Sequence, residues 1–155
     1  MTRLIAAFLT ACVALTAVGT AGAGELRKPE IYSDFQGFAL KGYDTVAYFT
    51  EGRAVKGSPA FALEWKETTW HFASAENRDI FAADPGKYVP QYGGYCAWAI
   101  TKNRLAPINP EIFRVVDGKL YLNLNMKVHQ EWIDAIPQMI ANGDENWPDA
   151  LVLAK

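Results

Sequence analysis

Alternating apolar and polar side chains predict two β-hairpins in this chain. Residues 61–65 and 69–72 carry bulky apolar side chains at every second position, and three polar residues separate the two stretches. This is the pattern of two short strands joined by a turn. Residues 113–116 and 119–124 flank Asp117-Gly118, a dipeptide that favours the type I′ turn of a two-residue hairpin loop.

Two capping residues predict short helices around the first hairpin. Asp44 precedes a helical turn over residues 45–49, and Ser74 precedes a helix that ends at Asp84. Aspartate and serine at these places accept hydrogen bonds from the free N–H groups of a first helical turn.

Apolar side chains at helical spacing over residues 126–141 predict a long final helix. Asn125 supplies its N-cap and Gly143 follows its end, as is typical of helix termini. Pro137 inside this helix predicts a kink or a break into two pieces. Hairpins mixed with helices, without a repeated βαβ order, predict a small α+β domain.

The N-terminus has the order of a secretory signal peptide. Arg3 is followed by an apolar run over residues 4–18 and by small residues that end at Ala23, so residues 1–23 are expected to be cleaved and the protein to be periplasmic or secreted. The run is shorter than the roughly 20 residues of a membrane anchor, and no membrane association is expected after cleavage. Residues 9–12 also resemble a lipobox with Cys12 as the lipidated residue, but no polar tether follows.

The remaining chain of roughly 130 residues is the size of one domain. It is predicted to consist of a lead-in over residues 24–41 and a domain over residues 42–155. The full chain has 15 Lys and Arg against 17 Asp and Glu, without a basic run. Nucleic acid is therefore not an expected partner, and the oligomeric state stays open.

Cys96 is the only cysteine left after cleavage. An unpaired cysteine in an exported protein is buried and inert, bridged to another molecule, or reactive. Gly93 and Gly94 allow a tight backbone turn just before it, so Cys96 is expected at the junction between a turn and a regular element. The chain has no Cys-x-x-Cys pair, which excludes a two-cysteine redox mechanism within the mature chain.

Three segments resemble the YHS domain family: residues 42–49 (GYDTVAYF), residues 70–81 (WHFASAENRDIF) and residues 84–88 (DPGKY). Continuations at residues 91–96, 117–123 and 146–148 resemble an exported bacterial subgroup, some members of which have selenocysteine at the position of Cys96. The resemblance implies a hairpin-to-helix, treble-clef-like unit at residues 61–83.

Metal-binding members of that family have cysteines where this chain has Ala47, Ala73 and Asn77. Without those thiolates a tetrahedral site of the family's kind cannot form from these residues. The family's ligand set is therefore not carried over, and the small or polar replacements are expected to let the hairpin and helix pack directly.

A soft metal site remains possible at other residues. Cys96, His71, His129 and Met126 are soft or intermediate ligands that suit Cu(I), or zinc, better than magnesium or calcium. The ordinary alternative is a solvated His71, opposite in phase to its aromatic neighbours on the strand, and a His129 at the surface or core edge. Four aromatic residues could wall a pocket around the thiol, or could simply be core: Tyr43, Tyr92, Tyr95 and Trp98.

Three functions are compatible with this pattern. The preferred prediction is an exported YHS-type protein that handles a soft metal such as copper through Cys96. The second is an enzyme in which Cys96 cycles through a sulfenic acid or a mixed disulfide with an external thiol. The third is a non-catalytic module that binds another envelope protein. Whether the protein is an enzyme stays open at this point.

Overall fold

A computed structural model describes residues 27–152. The predicted signal peptide at residues 1–23 and the alternative lipidation site at Cys12 lie outside these residues. The same holds for residues 24–26 and 153–155.

Both predicted hairpins are present. Strands β1 (Ser58–Trp65) and β2 (Thr68–Phe72) pair antiparallel, as do β3 (Phe113–Val116) and β4 (Lys119–Leu122). The second hairpin turns at Asp117 and Gly118, whose φ angles of 50° and 72° are both left-handed. Two successive positive φ angles are the geometry of a type I′ turn.

The described residues form a small α+β structure with two two-stranded antiparallel sheets and six α-helices. The helices are α1 (Ala47–Thr50), α2 (Ala75–Ala83), α3 (Pro85–Tyr88), α4 (Ala97–Ile100), α5 (Met126–Ile133) and α6 (Ile136–Asn146). Short 3-10 turns lie at Leu40–Gly42, Gln91–Gly94 and Asp149–Leu151. Helix α2 begins as predicted, because Ser74 Oγ accepts a hydrogen bond from the Asn77 N–H at 3.1 Å.

The C-terminal helical region is broken into two pieces, which is one of the two outcomes predicted from Pro137, and is not a single kinked helix. Helix α5 ends at Ile133 and α6 begins at Ile136, so the break lies before the proline and not at it. Pro137 lies in the first turn of α6, where a missing N–H leaves no helical hydrogen bond unmade. Helix α6 also continues through Gly143, which is buried inside it and not at its end.

The chain before residue 42 covers the outer face of β2, which makes the prediction of a solvated His71 wrong. The Ala39 N–H donates to Thr69 O at 2.9 Å, and Phe38 forms a parallel bridge with Thr69. The Phe38 ring centroid lies 4.3 Å from that of the His71 imidazole, which is only 7% exposed. Alternation along β2 indicated an outer face, but the sequence pattern did not show that another segment packs on it.

Two groups of buried apolar side chains form the core. The first lies around the β1–β2 hairpin and α2 and includes Trp70, Phe72, Phe81 and Cys96. The second joins the Gln91–Gly94 turn to the C-terminal helices. Helix α4 lies where the two groups meet, because its residues Ala97 and Ile100 belong to the second group and Ala99 to the first.

Candidate functional site

Cys96 lies at the junction predicted from the sequence. The chain turns through Tyr92, Gly93 and Gly94 with φ angles of 55°, 59° and 83°, and Cys96 then caps the N-terminus of α4. The Cys96 N–H donates to Ala106 O at 3.1 Å. The residue is 1% exposed, so the thiol is enclosed by protein.

The sulfur of Cys96 has polar neighbours in spite of its burial. Its thiol donates a hydrogen bond to Asn123 Oδ1 over 3.6 Å. Burial raises the pKa of the Cys96 thiol, whereas the backbone N–H groups of Ala99, Leu124 and Trp98 act in the opposite direction. The thiol is therefore protonated at neutral pH, and the groups that would stabilise a thiolate are already in place.

Asn123 connects Cys96 to His129. Its Oδ1 also accepts from the Trp98 N–H at 3.1 Å, and its Nδ2 lies 3.2 Å from His129 Nδ1. Asn123 is fully buried. We call Cys96, Asn123 and His129 the thiol cluster. Asn123 was not among the predicted site residues, although a polar residue between Leu122 and Leu124 at the end of a strand is a signal for a buried polar role.

His129 lies in the first turn of α5 and is 9% exposed, at the core edge. Burial lowers the pKa of its imidazole, and the positive charge of Arg114 lowers it further. The ring is therefore neutral at pH 7. Because the Asn123 amide donates to Nδ1, the proton of the neutral ring is assigned to Nε2.

Apolar side chains form a rim beside the thiol cluster. Leu124, whose N–H faces the sulfur, is 37% exposed, and Met126 is 60% exposed. The half-buried indole of Trp98 donates from Nε1 to the Glu131 carboxylate at 3.0 Å. Leu124 therefore has its backbone N–H at the sulfur and part of its side chain in solvent.

Tyr92 and Tyr95 are held by other groups. The Tyr92 hydroxyl donates to Asp144 Oδ1 at 3.0 Å. Burial raises the pKa of Tyr92, and this hydrogen bond raises it further. The Tyr95 hydroxyl donates to Pro29 O at 2.9 Å. Both belong to the second core group, whereas Cys96 belongs to the first.

Tyr43 and His71 lie beside the same lysine. The Lys56 ammonium is 4.7 Å from the Tyr43 ring centroid. Burial raises the pKa of Tyr43, as does Glu111. Burial lowers the pKa of His71, and Lys56 lowers it further. The two histidines thus have different surroundings, and residues 27–152 hold no group of three or more His, Cys, Asp or Glu side chains placed to bind a metal ion.

Helix α1 begins at Ala47 with Val46 at its N-cap position, two residues later than predicted for a turn capped by Asp44. The Asp44 carboxylate still binds N–H groups at this start and has further partners. It is fully buried, and its Oδ1 accepts from the N–H groups of Val46 at 2.8 Å and Ala47 at 3.3 Å. Its Oδ2 accepts from the Ala73 N–H at 2.8 Å and from Asn77 Nδ2 at 2.7 Å. Residues 47, 73 and 77, the positions compared above with family cysteines, therefore all donate hydrogen bonds to the Asp44 carboxylate. The hairpin and the helix were expected to pack directly on each other, but this carboxylate also links them.

Comparison of the chain with protein-family models, with curated proteins and with solved structures gives no match. Within the described part of the chain, every helix is too short or too polar to cross a bilayer.

Proposed function

We propose that this chain is an exported YHS-type protein that acts as a single-cysteine redox enzyme through Cys96. The observation that carries the proposal is the hydrogen-bonded link from the Cys96 sulfur through Asn123 to His129. A cysteine that only fills space needs no polar partner. Here three backbone N–H groups act on the sulfur and stabilise a thiolate once it forms, while Asn123 Oδ1 accepts the hydrogen bond of the neutral thiol.

Access to the sulfur requires a local opening of the chain. The link between β4 and α5 consists of residues 123–125, and the side chain of Leu124 within it is 37% exposed. We expect a movement of Leu124 and Asn125 to open a path to Cys96 while Asn123 keeps its hydrogen bonds. Local openings of this kind cost less free energy than global unfolding.

The oxidant in the proposed reaction is a hydroperoxide. The Cys96 sulfur attacks one peroxide oxygen, so that an S–O bond forms while the O–O bond breaks. The thiol proton ends on the leaving oxygen, which departs as an alcohol, or as water when the oxidant is hydrogen peroxide. Cys96 is oxidised to a sulfenic acid and the peroxide is reduced.

An external thiol completes the cycle, because the mature chain has no second cysteine. It attacks the sulfenic sulfur, an S–S bond forms, and the hydroxyl leaves with the thiol proton as water. A second external thiol attacks the mixed disulfide, which restores the Cys96 thiol and releases a disulfide of the two external molecules. Asn123 and His129 are positioning residues in this scheme.

Binding of a soft metal is a second candidate at the same cluster. The observation in its favour is that Cys96 and His129 both contact Asn123, and the neutral imidazole of His129 binds a metal once one of its nitrogens gives up its hydrogen bond or its proton. Zinc prefers four ligands, whereas thiolate and thioether ligands select Cu(I). Cys96 and His129, with the exposed Met126 nearby in the chain, therefore suit copper better than zinc.

The YHS frame is supported by the contacts of Asp44. A metal site requires its ligand positions to converge, and residues 47, 73 and 77 each place a backbone or side-chain donor on this carboxylate. Residues 73 and 77 belong to the end of the first hairpin and to α2, the hairpin-to-helix step of the proposed relationship, and residue 47 belongs to α1, which precedes that step.

The test of this function is peroxide turnover by the mature chain. We expect hydrogen peroxide to be consumed in the presence of a small thiol such as glutathione, and the Cys96→Ser variant to have no activity above the thiol alone. If the wild-type chain equals this variant, the redox enzyme is ruled out. A Cu(I) chelator competition then tests the second candidate, and if Cys96→Ser retains the copper affinity, that candidate is also wrong and a non-catalytic envelope module remains.

A further inference from the structure

A second candidate site lies on the far side of the Gln91–Gly94 turn and is independent of Cys96. A cavity of about 200 Å³ opens there between the turn, the end of β1 and the C-terminal region. Its walls include Glu30, Trp65, Lys66, Tyr92, Asp144 and Trp147. Two neighbouring depressions also have Glu30 among their lining residues, one together with Lys66 and Glu67 and the other together with Arg27 and Lys28.

Two glycines show that the cavity wall is closely built. A Cβ on Gly93 would lie 1.7 Å from the carbonyl oxygen of Glu30, so only glycine permits this approach. A Cβ on Gly143 would lie 2.4 Å from the Tyr92 hydroxyl. The contact at Gly93 fixes the backbone of Glu30 at the cavity, and the contact at Gly143 fixes the hydroxyl of Tyr92 beside α6, which carries Asp144.

The charges around the cavity are net negative. Lys66 forms an ion pair with Glu30 and its ammonium lies 5.0 Å from the Trp65 ring centroid. Asp144 receives the Tyr92 hydroxyl and forms no ion pair with any described residue. One carboxylate beside the indole of Trp147 is therefore left without a counter-charge.

We propose that this cavity binds a compact organic ammonium ion. A cation gains from the Asp144 carboxylate and from the face of an indole, which attracts positive charge. The cavity, at about 200 Å³, has room for a ligand the size of tetramethylammonium or n-butylammonium. Within the cavity itself an anion would meet Glu30, Asp144 and one ammonium that is already paired, whereas Arg27 and Lys28 line only the adjoining depression.

The test is a titration followed by the indole N–H signals in NMR spectra. The probes are tetramethylammonium and n-butylammonium chlorides, with sodium chloride added to hold the ionic strength constant. We expect saturable shifts of the Trp65 and Trp147 signals, and none of the signal of Trp132, which is fully buried. Binding of either probe supports the site, and the preferred probe tells whether N–H donors matter.

The control variants separate the site from general charge effects. Asp144→Asn keeps an oxygen for the Tyr92 hydroxyl and should weaken binding about two- to fivefold, the loss expected when an exposed charge pair is removed. Glu145→Gln removes the neighbouring exposed charge and should leave the affinity unchanged. Glu30→Gln is the second variant, in case Asp144→Asn perturbs the fold. The proposal is overturned if no saturable shift occurs, if tert-butanol binds as well as tetramethylammonium, or if neither cavity variant weakens binding.

Discussion

The Cys96 thiol donates a hydrogen bond to Asn123 Oδ1 across 3.6 Å. The two residues come from distant parts of the chain, one at the start of α4 and the other just after β4. Because Asn123 also holds the Trp98 N–H and His129, it joins α4 and α5 at the sulfur. The geometry of the thiol therefore depends on this asparagine.

Replacement of Asn123 by alanine should destabilise the fold and change the reactivity of the thiol. It leaves the Trp98 N–H and the Cys96 thiol without their acceptor in a buried place, which costs about 2–4 kcal/mol of unfolding free energy. Urea denaturation measures this loss. Asn142→Ala, which removes the amide paired with Gln138 on the surface of α6, should cost about 0.5 kcal/mol or less. Equal losses in the two variants would contradict the role of Asn123.

His129 should make the fold less stable in acid. Burial and Arg114 lower the pKa of its imidazole in the folded state, so the unfolded chain binds the proton more readily. Stability is therefore fully present above the unfolded pKa of about 6.5 and is lost as pH falls through the lower folded pKa. The urea midpoint is measured from about pH 7.5 to about pH 5, a range that brackets the unfolded pKa. It should fall less steeply with decreasing pH in His129→Gln than in the wild-type chain. The remaining slope includes His71, whose pKa is also lowered. Identical slopes would show that His129 is not buried as described.

Asp44 should be among the polar residues most sensitive to isosteric replacement. Asp44→Asn puts an NH2 group where an oxygen now accepts hydrogen bonds from two donors, and we expect a loss of about 2–4 kcal/mol in unfolding free energy. The matched control is Asp79→Asn, which removes an exposed ion pair with Arg78 and should cost under about 1 kcal/mol. A loss for Asp44→Asn as small as that of the control would contradict the four-contact arrangement.

Gly143→Ala should destabilise the chain although alanine is the better helix former by about 1 kcal/mol. The new methyl group would meet the Tyr92 hydroxyl at 2.4 Å, and overpacking of this kind costs about 1–3 kcal/mol. Gly86→Ala is the control in α3, because the atom nearest to its new Cβ, Asp84 Oδ1, would be 3.7 Å away. Thermal denaturation should show a lower midpoint only for Gly143→Ala. A stabilised Gly143→Ala chain would mean that α6 does not contact Tyr92.

The sequence was sufficient where local chemistry decides the structure. Asp117-Gly118 predicted its hairpin because few other dipeptides accept two left-handed residues, and Ser74 predicted the start of α2 through its cap. The position of Cys96 at the end of a glycine turn was also predicted correctly.

The contacts between distant segments were not predictable from periodicity. His71 is buried because residues before Gly42 pack over β2. The alternation of side chains within β2 does not indicate that a distant segment packs on that strand. Asn123 and Asp44 each collect hydrogen bonds from two or more elements. The break between α5 and α6 precedes Pro137, since a proline is well accommodated in a first helical turn.

The most direct test of the proposed function is the rate at which the Cys96 sulfenic acid is trapped in the folded mature chain. The protein is treated with hydrogen peroxide in the presence of dimedone and followed by intact mass, with Cys96→Ser as the blank and the urea-unfolded chain as the reference for a free thiol. The account predicts an adduct on the folded chain that forms faster as pH rises, because burial raises the pKa of the Cys96 thiol, and a changed rate in Asn123→Ala. An adduct that appears only after unfolding would contradict the claim that Cys96 is the reacting group.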